Sequence, residues 1–266
     1  MRQQKWFAAL ALAAILLAAC AQPDLVGKDG RIPGEGGSFA RAAKQARFLA
    51  LGDFGNGNPE QQLVADAMCN HLTEEAFEHV VTTGDNVYAS GEPSNFTKAF
   101  VKPYACLHQA GVRFHSVLGN HDIRTNAGAS EVGQPIFGFM GPYYTWSLGP
   151  VTFIMLDSQG LDIELENAAP GAEQYDWMLE EIADARKDPW TVVVFHDPVH
   201  STGKQHASKP GFGLDLGVPF AENGVDLVLN GHDHNYQYAE LNGVSYVVTG
   251  GGGADIYPCS EPFEPP

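Results

Sequence analysis

The chain has 266 residues, of which 44% are hydrophobic and 18% charged, a balance that suits one globular domain with a substantial buried core. Its 15 Lys and Arg stand against 32 Asp and Glu, giving a formal net charge of -17. Binding to a phosphate backbone needs clustered cations, so nucleic acid is excluded as an expected partner.

The first residues have the order of an export signal. Arg2 and Lys5 precede an apolar run from Trp6 to Leu17, then the small residues Ala18 and Ala19, then Cys20. Leu17-Ala18-Ala19-Cys20 resembles a bacterial lipobox, which implies cleavage before Cys20 and lipid attachment to its thiol. An ordinary secretory signal cut near a cysteine is the alternative. The expectation is a signal peptide over 1–19, a domain exported to the bacterial cell envelope, and a membrane held through the lipid at Cys20. From residue 20 to 46 the chain is rich in Gly, Pro and polar residues, the composition of a flexible tether. The domain is expected over 47–266.

Within it, β-rich runs alternate with helical patterns, and no internal repeat is evident. Strands are expected over Arg47–Leu51, His79–Thr83, Arg113–Leu118, Tyr143–Leu148, Val151–Leu156, Trp190–Phe195, Val225–Leu229 and Val244–Thr249. One helix is expected to open on Asn58 as N-cap with Pro59 in its first turn, burying Leu63, Val64, Ala67, Met68 and Leu72. A second spans about Gly171 to Arg186, with Tyr175, Met178, Leu179, Ile182 and Ala185 at helical spacing. Beyond Cys20 there are three cysteines, and an exported compartment permits disulfides. Cys69 with Cys106 is the preferred pair, leaving Cys259; buried thiols are the alternative.

Five times a β-rich run ends on a turn carrying Asp, Asn or His. The strings are Gly52-Asp53-Phe54-Gly55, Gly84-Asp85-Asn86-Val87-Tyr88, Gly119-Asn120-His121-Asp122, Val193-Val194-Phe195-His196 and Gly231-His232-Asp233-His234. Ligands in layered α/β proteins collect beyond the carboxyl ends of strands, where loops converge. Singly, each string is weak: Gly-Asp is usually a turn, and His-x-His is often two surface residues. Five in fixed order carry more weight.

Together they resemble the signature of the purple acid phosphatases, within the calcineurin-like metallophosphoesterases, from about Arg47 to Gly253. The resemblance implies an α/β fold: a four-layer α-β-β-α sandwich of two mixed sheets with the metal site at the strand C-terminal ends. It implies Fe(III) bound by Asp53, Asp85, Tyr88 and His234, and a divalent Zn, Fe or Mn bound by Asp85, Asn120, His196 and His232. Carboxylate and phenolate oxygens suit the first ion, and neutral amide and imidazoles suit the second. Tyr88 discriminates: where the wider superfamily commonly has a histidine in its opening Asp-x-His motif, this chain has Gly55, and a tyrosine follows Asp85.

The implied chemistry is hydrolysis of small phosphate monoesters by a metal-bound hydroxide, two cations roughly 3.5 to 4 Å apart activating water and neutralising phosphoryl charge. Asn120, His121 and His206 are the expected substrate contacts, with His121 facing the leaving group, Asp122 orienting it, and His206 preferred over His200 as a second phosphate contact or proton donor. An exposed loop histidine is the alternative for either His200 or His206. His71, His79, His108 and His115 match no motif position, and Asp157 and Asp215 are expected to be structural or solvated. A phosphodiesterase or nucleotide phosphohydrolase on the same scaffold is the nearest alternative. A noncatalytic metal- or phosphate-binding surface lipoprotein is the alternative of another class. No protein partner is evident. The ending from Cys259 to Pro266 reads as a loop where the family generally adds strands, as in a C-terminally truncated domain.

Overall fold

The structure, a computed structural model, describes residues 45–167, 173–206, 208 and 212–258. The expected signal peptide, Cys20, nearly all of the tether and Cys259 lie outside the described residues. In chain order the main elements are β1 (Leu49–Leu51), α1 (Pro59–Glu74), β2 (His79–Thr82), α2 (Ala105–Gln109), β3 (Arg113–His115), α3 (Ala129–Val132), β4 (Tyr144–Leu148), β5 (Val151–Met155), α4 (Ser158–Asn167), α5 (Glu173–Ala185), β6 (Trp190–Val194), α6 (Val218–Asn223), β7 (Leu227–Asn230), β8 (Tyr236–Leu241) and β9 (Val244–Thr249).

Two sheets form. The smaller has the order β1-β2-β3, with both pairings parallel. The larger has the order β4-β5-β6-β7-β9-β8, parallel through its four central strands and antiparallel at β4 and β8. Parallel strands covered on both faces read as continuous apolar runs, as in Val-Thr-Phe-Ile-Met of β5, where every residue is buried. The sheets face each other through Phe48, Ala50, Val81 and Val117 on one side and Trp146, Phe153, Val192, Val194, Leu229 and Val247 on the other. Outside the larger sheet, Met178 and Ile182 of α5 and Phe220 of α6 pack on Ile154, Val193 and Val228. Outside the smaller, Ala65 and Met68 of α1 and Leu107 of α2 close over Leu51, Val80 and Phe114. The result is the expected α-β-β-α sandwich, and all strands named from the sequence are present, several of them shorter.

Helix α1 opens as expected: the Asn58 side chain accepts from the Gln61 N–H at 2.9 Å, with Pro59 in the first turn. Its buried face is rotated from the expected one. Gln61, Ala65, Met68 and His71 point inward, whereas Leu63 is 51% exposed. The reason is a polar anchor: Gln61 donates to the carbonyl of Ala99 at 2.6 Å, and satisfying that buried amide fixes the rotation of the helix. A Cys69–Cys106 disulfide joins α1 to α2 across 37 positions. Closing a loop of that length is worth about 4 kcal/mol in the chain-entropy description. Of the four unassigned histidines three are buried and His108 is half-buried: His79 and His115 stack around Trp146, His71 stacks on Phe77, and His108 packs on Phe100 and Phe114.

Candidate metal centre

Because β1, β2, β3, β6 and β7 run parallel within their sheets, their carboxyl ends can deliver one turn each to a common place. Asp53 follows β1, Asp85 follows β2, Asn120 lies beyond β3, His196 follows β6, and His232 and His234 follow β7. Three of these residues hold positive φ: Asp53 at 56°, Asp85 at 52° and His232 at 68°. Left-handed backbone at a non-glycine residue costs about 1–2 kcal/mol, so the surrounding contacts must hold these turns. They do: Asp53 N–H donates to Gly84 O, and the His232 N–H donates to Asp53 Oδ2 at 2.9 Å. The turns also need glycine. A Cβ on Gly84 would lie 2.7 Å from His196 Nδ1, and one on Gly119 would fall on the Asp85 carboxylate.

Two groups of donor atoms result. In the first, Asp53, Asp85 and His234 bring one potential ligand atom each to within 4.8 Å of one another. Tyr88 Oη joins them, 3.2 Å from His234 Nε2 and 3.4 Å from Asp53 Oδ1. In the second, His196 Nε2 is 3.0 Å from Asn120 Oδ1, 3.1 Å from His232 Nδ1 and 3.6 Å from Asp85 Oδ1. Asp85 therefore stands between the groups, and all seven side chains expected as ligands are brought together.

The ring tautomers can be read from their partners. His196 Nδ1 is 2.8 Å from Thr83 O, and His234 Nδ1 is 2.7 Å from Asp255 O. A carbonyl only accepts, so each Nδ1 carries the hydrogen and each Nε2 turns a lone pair inward. Lone pairs of His196 and Asn120 thus face one another beside buried carboxylates, an arrangement that needs a cation or a bound proton between them. Electrostatics point the same way. Burial works against a charged His196, yet Asp85, Asp53 and Asp197 push it up to about 9. Burial raises Asp85, and burial with the Asp53 and Asp85 carboxylates pushes Tyr88 far above the ordinary phenol range. Oxygen-rich donors, inward imidazole lone pairs and a shared carboxylate fit a pair of metal ions.

His121 lies at the edge of this cluster. Its Nδ1 is 2.7 Å from Ala89 O, and its Nε2 is 3.3 Å from an Arg124 nitrogen and 3.9 Å from Asp85 Oδ2. Asp122 does not orient this ring as expected. Its carboxylate is fully buried and accepts from the main-chain N–H groups of Asn86, Val87 and Gly119 and from the Asn86 amide. Three main-chain donors claim those oxygens, so Asp122 ties the Asp85 and Asn120 turns together, and the Ala89 carbonyl and Arg124 hold His121 instead. His206 packs against the His232 ring at 4.0 Å and against Tyr257 at 5.5 Å. His200 is placed elsewhere, edge-on to Tyr246. Asp157 accepts from the Gln159 N–H at the start of α4, a structural position.

Several residues around the cluster had no motif to mark them. Tyr257 stacks on His234 at 4.1 Å. Buried Asp233 accepts from Ser201 and Gln237, and buried Asp197 accepts from Ser158 and Gln159. The two aspartates directly follow expected ligands in the sequence, the one signal that could have drawn attention to them.

The profile of the calcineurin-like phosphoesterases matches residues 46–236. Purple acid phosphatase 17 of Arabidopsis thaliana is 30% identical over 238 residues, covering 80% of this chain and 70% of that protein. Tartrate-resistant acid phosphatase type 5 of Oryctolagus cuniculus is 27% identical over 242 residues, covering 79% and 74%. Among solved structures, a purple acid phosphatase from yellow lupin (Lupinus luteus) seeds superposes with a TM-score of 0.64 at 19% identity, over 83% of this chain and 47% of that one. The anchor in the inner membrane complex of Plasmodium superposes with a TM-score of 0.67 at 19% identity, over 78% and 72%, so the fold is also used by a protein described as an anchor. With the metal-type cluster at the strand ends, these likenesses show that the chain belongs to the purple acid phosphatases within the calcineurin-like phosphoesterases, as a metal-dependent phosphoric ester hydrolase.

Proposed function

We propose that this chain is a dinuclear phosphatase acting on small phosphate monoesters. Fe(III) is held by Asp53, Asp85, Tyr88 and His234, and a divalent Zn, Fe or Mn by Asp85, Asn120, His196 and His232. The observation that carries this reading is the convergence of two donor groups on Asp85, with His196 Nε2 3.6 Å from its Oδ1. Bound there, two cations supply an activated water at neutral pH and neutralise charge on the phosphoryl group. The protein's own groups do the rest. Asn120 and His121, on one turn, place the ester; His121, held through Nδ1 by Ala89, presents Nε2 for proton transfer to the leaving oxygen; His206 closes the side next to His232.

Tyr88 carries the identity of the first metal. A buried phenol among carboxylates holds its proton, so only a strongly charged cation makes the phenolate competent at neutral pH. A phenolate on Fe(III) gives a charge-transfer colour that Zn, Mn or Fe(II) alone does not. Metal analysis and visible spectra of the purified protein should therefore find iron and an absorption band. Tyr88→Phe, which keeps the ring and removes the oxygen, should lose the band and hold iron less tightly with the fold intact. Iron-loaded, oxidised protein without the band, or a Phe variant that keeps it, would remove Tyr88 from the ligand set. Turnover on a monoester and diester panel decides between the phosphatase and the phosphodiesterase reading.

The Leu17-Ala18-Ala19-Cys20 string supports export and lipid anchoring at Cys20 in a bacterial envelope. Expressed in a bacterial host with lipoprotein processing, the protein should fractionate with membranes, and mass analysis should find an acylated terminal cysteine. A soluble mature protein beginning elsewhere would rule the anchor out.

A further inference from the structure

Two of the three ligand histidines have their outer ring nitrogen tied to a main-chain carbonyl, Thr83 for His196 and Asp255 for His234. His232 is turned the other way. Its Nδ1 faces His196 Nε2 at 3.1 Å, and its Nε2 is 3.8 Å from Asp197 Oδ1, an ion-pair distance longer than a hydrogen bond. Asp197 is 2% exposed, and its other carboxylate oxygen is claimed by the hydroxyl of Ser158 at 2.6 Å and the amide of Gln159. Its main-chain N–H is 3.2 Å from the Ser158 oxygen, and its carbonyl accepts from Asn230 Nδ2 at 3.3 Å. The carboxylate is thus anchored by the first turn of α4 through one oxygen, and its second oxygen lies on the side of His232.

We propose that Asp197 is a positioning residue for the second cation. It keeps the His232 hydrogen on Nε2, so that the Nδ1 lone pair is aimed between His196 and Asn120. The proposal rests on the two-cation reading above and assigns one residue in it. Asp197→Asn retains the size and one oxygen for Ser158 and Gln159, but it can turn an NH2 donor toward His232 Nε2. That favours the tautomer with hydrogen on Nδ1, the atom the cation needs.

The experiment is zinc titration of the iron-loaded protein, read by metal content and by the visible band. Wild type should bind one zinc per iron, and Asp197→Asn should bind zinc about 10–100-fold more weakly, the usual cost of losing a ligand's orienting partner. Iron content, the band and Tm should be unchanged. A wild type that takes no second metal would overturn the two-cation reading itself. A wild type that takes both, with an Asp197→Asn variant of equal zinc affinity, would overturn only the role of Asp197. So would parallel loss of iron and zinc, which marks a purely structural residue. Should the variant not fold, NMR of 15N-histidine-labelled wild type loaded with zinc alone decides: the proposal requires hydrogen on His232 Nε2 and zinc on Nδ1, and the reverse overturns it.

Discussion

Asp85→Ala is expected to lose at least one metal outright and to lower kcat/KM by more than about a thousandfold, well beyond the 10–100-fold that loss of a ligand's hydrogen-bonded partner costs. Asp85 belongs to the first donor group and lies 3.6 Å from His196 of the second, and its Oδ1 also accepts from the His121 N–H at 2.9 Å. Alanine removes the shared ligand and leaves that N–H without its acceptor. Stability without metal should respond differently. Burial holds the Asp85 carboxyl above its ordinary range, so the charged form is disfavoured by the fold at neutral pH. The metal-free variant gains from losing that charge and loses from the unpaired His121 N–H, so its Tm should change little, while the large stabilisation of wild type by added metal should be reduced or lost. Full retention of two metals and activity by Asp85→Ala would refute the assignment of the centre.

His121→Ala should separate turnover from metal retention. The ring gives no atom to either donor group: Nδ1 is engaged by Ala89 O, and Nε2 lies beside Arg124. The contact that matters to Asp85 comes from the His121 main chain, which alanine preserves. Metal content should stay close to wild type while kcat falls about a hundredfold or more, the size of a lost general acid. The penalty should shrink for esters with good leaving groups, which need no proton. Burial lowers the His121 pKa, with Arg124 adding to the effect. The acid form is therefore populated toward low pH, so the ratio of wild-type to variant kcat on a poor leaving group should be largest in acid and narrow as pH rises. Loss of both metals would instead make the ring structural.

The strand-end strings made most of the centre legible because each ligand follows a parallel strand within one or a few residues, and parallel strands aim their carboxyl ends the same way. The long α5 was legible from its apolar spacing, and α1 from Asn58 and Pro59. By contrast, β8, Tyr-Gln-Tyr-Ala-Glu-Leu, carries no such signal, being an edge strand with alternating exposure and no continuous apolar run. Helix α4 is equally unmarked, since Ser158-Gln159-Gly160 opens it without the apolar stripe that marks α5.

Sequence alone determined which residue types reach the centre and in what order, because ligand chemistry demands particular side chains and turns demand particular glycines. Tertiary structure decided what each of them does there. The rotation of α1 was set by the buried bond from Gln61 to Ala99, across 38 positions. Asp122 was diverted from His121 by three main-chain N–H groups that only the assembled loops expose to it. The ring orientations of His196 and His234 depend on Thr83 and Asp255, partners brought close by the packing of two sheets. A hydrogen bond is satisfied by geometry, and the geometry between residues distant in the chain exists only once the sandwich has closed.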